Sequence, residues 1–129
     1  MKIDGLRHIP GLYILENEKD RSVFTSEDIN KGDVIEVCPV IRLSDRESKL
    51  IHKTILHDYY FVWPEGGTVL ALGYGSIYNH SDKPNAEVVF EIDTMEMMIR
   101  CIKHIDPGDE ILIDYTGGTD EVDLWFKPV

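Results

Sequence analysis

Short runs of β-branched, aromatic and other apolar residues, cut by closely spaced turns, fill most of this chain. Leu12-Tyr13-Ile14-Leu15 and Ser22-Val23-Phe24-Thr25 have strand composition, and Asn30-Lys31-Gly32-Asp33 has the residues of a turn. Asp33 to Leu43 is the longest β-branched stretch. Pro39 interrupts it, and a proline cannot donate to a ladder, which predicts an edge position or a bend. Ser44-Asp45-Arg46-Glu47 is a capping box: the serine hydroxyl accepts from a free backbone N–H and the glutamate reaches back. It predicts a short helix with Leu50, Ile51, Ile55 and Leu56 as an apolar stripe. Tyr59 to Trp63 and Thr68 to Leu72, joined by Pro64-Glu65-Gly66-Gly67, predict a hairpin. Ala86 to Ile92 and Glu96 to Ile105 flank an Asp93-Thr94 turn and predict another. Pro107-Gly108-Asp109 then turns the chain into a last short strand, Ile111 to Tyr115, before Gly117-Gly118 and an acidic tail carrying Trp125 and Phe126. Many short strands and one clear helix argue a mainly β domain of several small sheets.

At 129 residues, with no repeat, low-complexity stretch or linker, the chain is expected to be one domain spanning 1–129. No apolar run is long enough to cross a bilayer, so no membrane partner is expected. Met1 to His8 lacks the apolar stretch of a signal peptide. An intracellular protein is expected, cytoplasmic or, in a eukaryotic host, nuclear. Net charge is 13 − 24 = −11, a field that repels phosphates and argues against direct nucleic-acid binding. The same field keeps a protein soluble and draws in a lysine-rich partner; the two readings are compatible. Cys38 and Cys101 lie in apolar runs and read as buried free thiols. Neither has Cys or His neighbours at zinc-ligand spacing, so no metal is expected.

Two segments carry candidate chemistry: Gly73-Tyr74-Gly75-Ser76-Ile77-Tyr78-Asn79-His80-Ser81-Asp82-Lys83-Pro84-Asn85, and Gly108-Asp109-Glu110-Ile111-Leu112-Ile113-Asp114-Tyr115. Taken singly, Asn79 is a turn residue, His80 a polar loop residue and Tyr115 a strand-end core aromatic. Asn79-His80-Ser81 also matches a glycosylation sequon, which has no bearing on an intracellular chain. Taken in order, they follow Lys19 to Thr25, then Ile29-Asn30-Lys31-Gly32-Asp33-Val34-Ile35-Glu36, then Asp58-Tyr59-Tyr60-Phe61. In that sequence of motifs, over roughly residues 20 to 115, the chain resembles the SET-domain protein-lysine methyltransferases. Leu70 to Ser81 is closest in type to the minimal viral members, which lack zinc modules.

The resemblance implies a SET-domain, β-clip-like fold. Its small sheets would surround a knot-like threading of Asp109 to Tyr115 under the Asn79 segment, with a core of about 20–115 and a tail of 116–129. It implies S-adenosylmethionine-dependent methyl transfer to the ε-amine of a protein lysine, leaving S-adenosylhomocysteine and using no metal. Tyr115 is then the catalytic tyrosine, with Tyr59 as second wall; Tyr59, Tyr74 and Ile113 line the substrate channel. Asn79 and His80 hold the cofactor, with Asp20, Arg21 and Ser22 of the first motif beside it and Trp125 over it. The asparagine side chain is expected to matter more than the histidine, which meets adenine largely through its backbone. The partner is a lysine-rich protein, histone-like or another basic protein, with a homodimer as an alternative to the monomer.

The chain departs from the family at four places, one of them just after Tyr115, where Thr116-Gly117-Gly118 stands in place of a nearby aromatic and leaves channel closure to residues further along. Asp20 and Ser22 replace glycines of the first motif, Asp82 follows Asn-His-Ser where many members have cysteine, and Ile113 stands where many carry the Phe or Tyr that sets the number of methyls. The altered first motif favours a rival reading, a catalytically silent SET module that binds a lysine-rich partner.

Overall fold

Alternation along the chain translates into strands wherever a partner lies close in sequence. The computed structural model describes residues 8–16, 18 and 20–115. Trp125 and the rest of the tail, expected to cover the cofactor, lie outside the described residues. Strands β1 (Leu12–Glu16) and β2 (Arg21–Thr25) pair antiparallel, with Leu12 opposite Thr25 and Glu16 opposite Arg21. Next come β3 (Val34–Leu43), the helix α1 (Asp45–Ile51) and a 3₁₀ turn (Ile55–Asp58). The expected hairpins form as β4 (Tyr60–Val62) with β5 (Thr68–Ala71), and, after the two-residue β6 (Asn79–His80), as β7 (Ala86–Glu91) with β8 (Glu96–Cys101). The expected last strand shrinks to β9 (Leu112–Ile113). The large antiparallel sheet runs β4-β5-β3-β8-β7, so the domain is mainly β with small accessory sheets, as expected.

Of the two alternatives for Pro39, an edge position or a bend, the edge is corrected. Strand β3 lies in the middle of the sheet order: Val34 to Pro39 pair with β8, and Val40 to Leu43 pair with β5. Pro39 sits at the changeover, where the strand leaves one ladder for the other and a missing N–H removes least. Its carbonyl still accepts from the Leu72 N–H at 2.9 Å.

The capping box forms as the sequence indicates: Glu47 N–H donates to Ser44 Oγ at 3.2 Å and Ser44 N–H to Glu47 Oε1 at 3.0 Å. The apolar stripe behind it does not face the core. Leu50 is 60% and Ile55 78% exposed, whereas Ser48 is the buried helix residue, bonded to Thr68 Oγ1 at 2.7 Å. The helix therefore docks on β5 through a buried hydroxyl pair.

Ile29, Ile35, Trp63, Tyr78, Ile99, Ile105, Ile111 and Ile113 are buried in one core that gathers residues from β2, β3, β5, β8 and β9. Cys38 and Cys101 are buried thiols outside any disulfide, as expected. The core's far end holds the enclosure that positions the site. Strands β6 and β9 pair in parallel, Asn79 opposite Leu112 and His80 opposite Ile113. Ser81 N–H donates to Ile113 O at 2.9 Å, and the chain then doubles back to Asn85. Asn85 N–H donates to Leu112 O (3.1 Å), its Oδ1 accepts from Leu112 N–H (2.8 Å), and its Nδ2 donates to Glu110 O (2.9 Å). Residues 110–113 thus lie inside the bend of 79–85, the knot-like arrangement that the resemblance implies. Asn85→Ala leaves two backbone groups unpaired in this enclosure and is expected to cost about 2–4 kcal/mol of stability, measured by chemical denaturation.

Candidate active site

Three segments meet at the mouth of that enclosure. Strand β2 is tied to the last segment by Ile111 N–H to Val23 O (2.8 Å), Gly108 N–H to Thr25 O (2.7 Å) and Thr25 N–H to Asp109 O (3.2 Å). This lattice carries Arg21 and Ser22 to Asn79. The Asn79 Nδ2 faces Arg21 O at 3.2 Å, Ser22 Oγ at 3.0 Å and Glu110 Oε2 at 2.8 Å. An amide nitrogen has two hydrogens, so three oxygens around it leave acceptor capacity to spare. One of those oxygens belongs to a carboxylate, and the niche is suited to a further donor, above all a cationic one.

Tyr115 is held from both ends. Its backbone N–H donates to His80 Nδ1 at 2.9 Å, and its hydroxyl donates to Tyr78 O at 2.8 Å. A ring nitrogen that accepts carries no hydrogen, so Nδ1 is the bare nitrogen of His80 in this bond. Asp114 Oδ1 lies 3.8 Å from the same Nδ1. The His80 and Tyr115 rings lie 5.1 Å apart, and Phe61 meets Tyr115 edge-on at 5.7 Å.

Burial, reinforced by Asp20, Asp58, Tyr59 and Glu110 nearby, pushes the Tyr115 phenol up to about 12. It stays neutral at physiological pH, a hydrogen-bond donor and not a phenolate base. The linkage follows in sign. The unfolded phenol ionises at 10.0, so the contribution is whole below that pH and is lost as pH rises towards about 12. The loss is about 3 kcal/mol for a two-unit shift, read as a fall in denaturation midpoint across that window. Tyr78, buried against Glu36 and raised well above its ordinary value, adds to it in the same direction.

The other sequence-derived candidates divide. Asp20 and Arg21 are exposed and Ser22 half-buried at the end of β2 beside Asn79, and Tyr59 is half-buried at the end of the 3₁₀ turn, within electrostatic reach of Tyr115. Tyr74 stands further along the loop, its ring stacked on His8 at 5.6 Å and its N–H on Glu36 Oε2 at 3.0 Å. Ile113 is fully buried in the core, paired with His80. Trp125 lies outside the described residues.

Three residues given no role by the sequence hold the arrangement together: Glu110 against Asn79, Asn85 around β9, and Glu36 beneath the 73–78 loop. Glu36 had a readable signal, a lone charge inside the apolar run Val34 to Cys38. Away from this constellation, Asp28, His104 and Asp106 bring metal-ligating atoms within 4.8 Å of one another, all exposed, on the outer side of the Ile29–Ile105 bridge.

Comparison with known proteins bears on the whole of this region. The SET domain family profile matches residues 20–116. A curated Schizosaccharomyces pombe protein, the histone-lysine N-methyltransferase that is H3 lysine-37 specific, is 35% identical over 112 residues, covering 84% of this chain and 71% of its own. A Plasmodium falciparum crystal structure, assigned as a candidate histone methyltransferase, superposes with a TM-score of 0.65 at 32% identity, covering 85% of this chain and 96% of its own.

Proposed function

The chain belongs to the SET-domain family, and on that premise we propose that it is a protein-lysine N-methyltransferase that uses S-adenosylmethionine. The observation that carries the reading is the convergence of Asn79 and His80 on β6 with Tyr115, just beyond the paired β9 and bonded to His80. A SET profile match alone is compatible with a silent domain; a tyrosine with both ends fastened beside an acceptor-rich niche is an arrangement with a use.

The niche fits the cofactor. Arg21 O, Ser22 Oγ, Glu110 Oε2 and the Asn79 amide offer oxygens in excess of local donors, which suits the α-ammonium of a methionyl group. When bound, S-adenosylmethionine supplies a methyl on a positively charged sulfur, open to in-line displacement by a neutral amine. The chain's own work is to deliver that amine. Asp20, Asp58 and Glu110 around Tyr115 make a negative entrance that draws a lysine ammonium. Free lysine titrates at ~10.4, so the amine must lose its proton before it reacts. Phe61, Tyr59 and Tyr115 are the aromatic surface that strips water from the ammonium, and desolvation favours its neutral form, the proton passing to bulk water before the amine attacks. The Tyr115 hydroxyl, neutral and tied to Tyr78 O, orients the reacting group and takes no proton from it.

The substrate class inferred is a lysine-rich protein, and the S. pombe relative supports a histone tail within that class. Such a substrate would place the protein in the nucleus of a eukaryotic cell. One observation favours the rival silent module: the Ser22 hydroxyl occupies a bonding position on Asn79 where family members carry glycine. Calorimetric titration with S-adenosylmethionine, followed by labelled methyl transfer onto basic proteins, separates the two. Binding with transfer supports the enzyme, binding without transfer supports the silent module, and no binding removes both.

A further inference from the structure

Glu36 has no part in the chemistry above, yet it is 2% exposed in the middle of the core strand β3. A buried carboxylate is costly unless its oxygens are well bonded, and an apolar side chain would fill the same space at less cost. Both oxygens of Glu36 are spent on one loop. Oε1 accepts from the Tyr78 hydroxyl at 2.6 Å and Oε2 from the Tyr74 N–H at 3.0 Å, pinning the loop at two points four residues apart. Gly73 completes the fit: its φ is +64°, and a Cβ there would strike Glu36 Oε2. The loop so pinned ends at Tyr78, whose carbonyl takes the Tyr115 hydroxyl at 2.8 Å.

We propose that Glu36 is a positioning residue for Tyr115: acting through Tyr78, it sets the carbonyl that orients the Tyr115 hydroxyl. The proposal rests on the methyltransferase reading for its kinetic consequence but not for its structural one. The geometry keeps Glu36 off the reacting groups: its removal acts through the Tyr78 hydroxyl and, by the second bond, through the Tyr74 backbone, and Tyr78→Phe isolates the first route. Tyr78→Phe deletes a single hydroxyl and leaves the Tyr74 bond. Glu36→Gln keeps an acceptor for the Tyr74 N–H but presents an amide N–H to the Tyr78 hydroxyl, which must then accept, so the short charged bond is replaced by a weaker neutral one of reversed direction.

The test is a double-mutant cycle on histone or other basic-protein methylation. Tyr78→Phe and Glu36→Gln are each expected to lower kcat about five- to tenfold with KM little changed, the effect of one misplaced hydrogen bond. In a Tyr115→Phe background neither is expected to lower kcat further, because the hydroxyl they position is gone. A merely structural role predicts losses that multiply with that of Tyr115→Phe, and that result overturns the proposal. So does full activity in folded Tyr78→Phe.

A second readout needs no activity. With tyrosine labelled at the phenol carbon, the Tyr115 resonance is expected to titrate lower in Tyr78→Phe than in the wild type, by about one pH unit, as its acceptor loosens and water enters. An unchanged titration overturns the proposal even if the wild-type protein transfers no methyl group, whereas a shifted titration without transfer faults the methyltransferase reading alone. If Glu36→Gln does not fold, Tyr78→Phe decides the matter by itself.

Discussion

Replacing Tyr115 by phenylalanine is expected to lower turnover by about one to three orders of magnitude, the range for losing one preorganised polar group at a reacting centre. Fold and cofactor affinity should change little. The ring remains against Phe61 and His80, and the backbone bond to His80 Nδ1 is untouched. The Tyr78 carbonyl loses a half-buried partner, a cost of about 1 kcal/mol in stability. Because the phenol stays protonated to about 12, the wild-type pH–rate profile should rise with the substrate amine and show no limb from Tyr115 in the physiological range. Steady-state kinetics and a denaturation curve on the same preparation check both halves. Unaltered turnover would remove Tyr115 from the mechanism.

Asn79→Ala has the next largest expected effect, on affinity instead of rate. The amide bridges β2 to Glu110, so its loss opens the niche that receives the cofactor and leaves Ser22 and Glu110 without that donor. A weakening of S-adenosylmethionine binding by about 1–3 kcal/mol is expected, read by calorimetry. His80→Ala should behave differently. Its ring holds the Tyr115 N–H, so the larger loss is expected in kcat and the smaller in cofactor affinity. Equal and small effects from both would reduce the pair to a turn.

These contrasts show what kind of information a single sequence carries here. The hairpins β4–β5 and β7–β8 were legible because their partners are neighbours in the chain, and the capping box at Ser44 because it closes within four residues. Family motifs carried the rest of the fold, including the side-by-side placement of Asn79 and Leu112 that no local pattern announces. Illegible features depend on distant partners. Pro39 suggested an edge because a proline weakens one ladder; the structure gives its strand two ladders and puts the proline between them. The stripe of Leu50 and Ile55 had helical spacing, yet burial is decided by what the helix docks against, and Ser48 with Thr68 makes that contact. In the site, the motif residues were readable one by one. Their supports, Glu36, Glu110 and Asn85, bond across 25 to 42 positions; Glu110 and Asn85 look like ordinary polar residues in one dimension, and Glu36 stands out only as a charge in an apolar run.

Close packing on both sides explains the two glycines of the 73–78 loop, and the Glu36 support accounts for the first of them. Gly73 makes room for the carboxylate, and a Cβ at Gly75 would press on Ala71 and Cys38. Methyl-transfer geometry tolerates little misplacement, and a loop pinned to a core strand holds a carbonyl more firmly than one anchored only at its ends.

The central claim is tested most directly by incubating the purified protein with methyl-labelled S-adenosylmethionine and histone proteins and locating the label by mass spectrometry. The account predicts label on lysine ε-amines, with the yield sharply reduced in Tyr115→Phe at matched cofactor occupancy. Saturated cofactor binding with no labelled lysine on histones or on any other basic protein, in the wild type as in the variant, would contradict it.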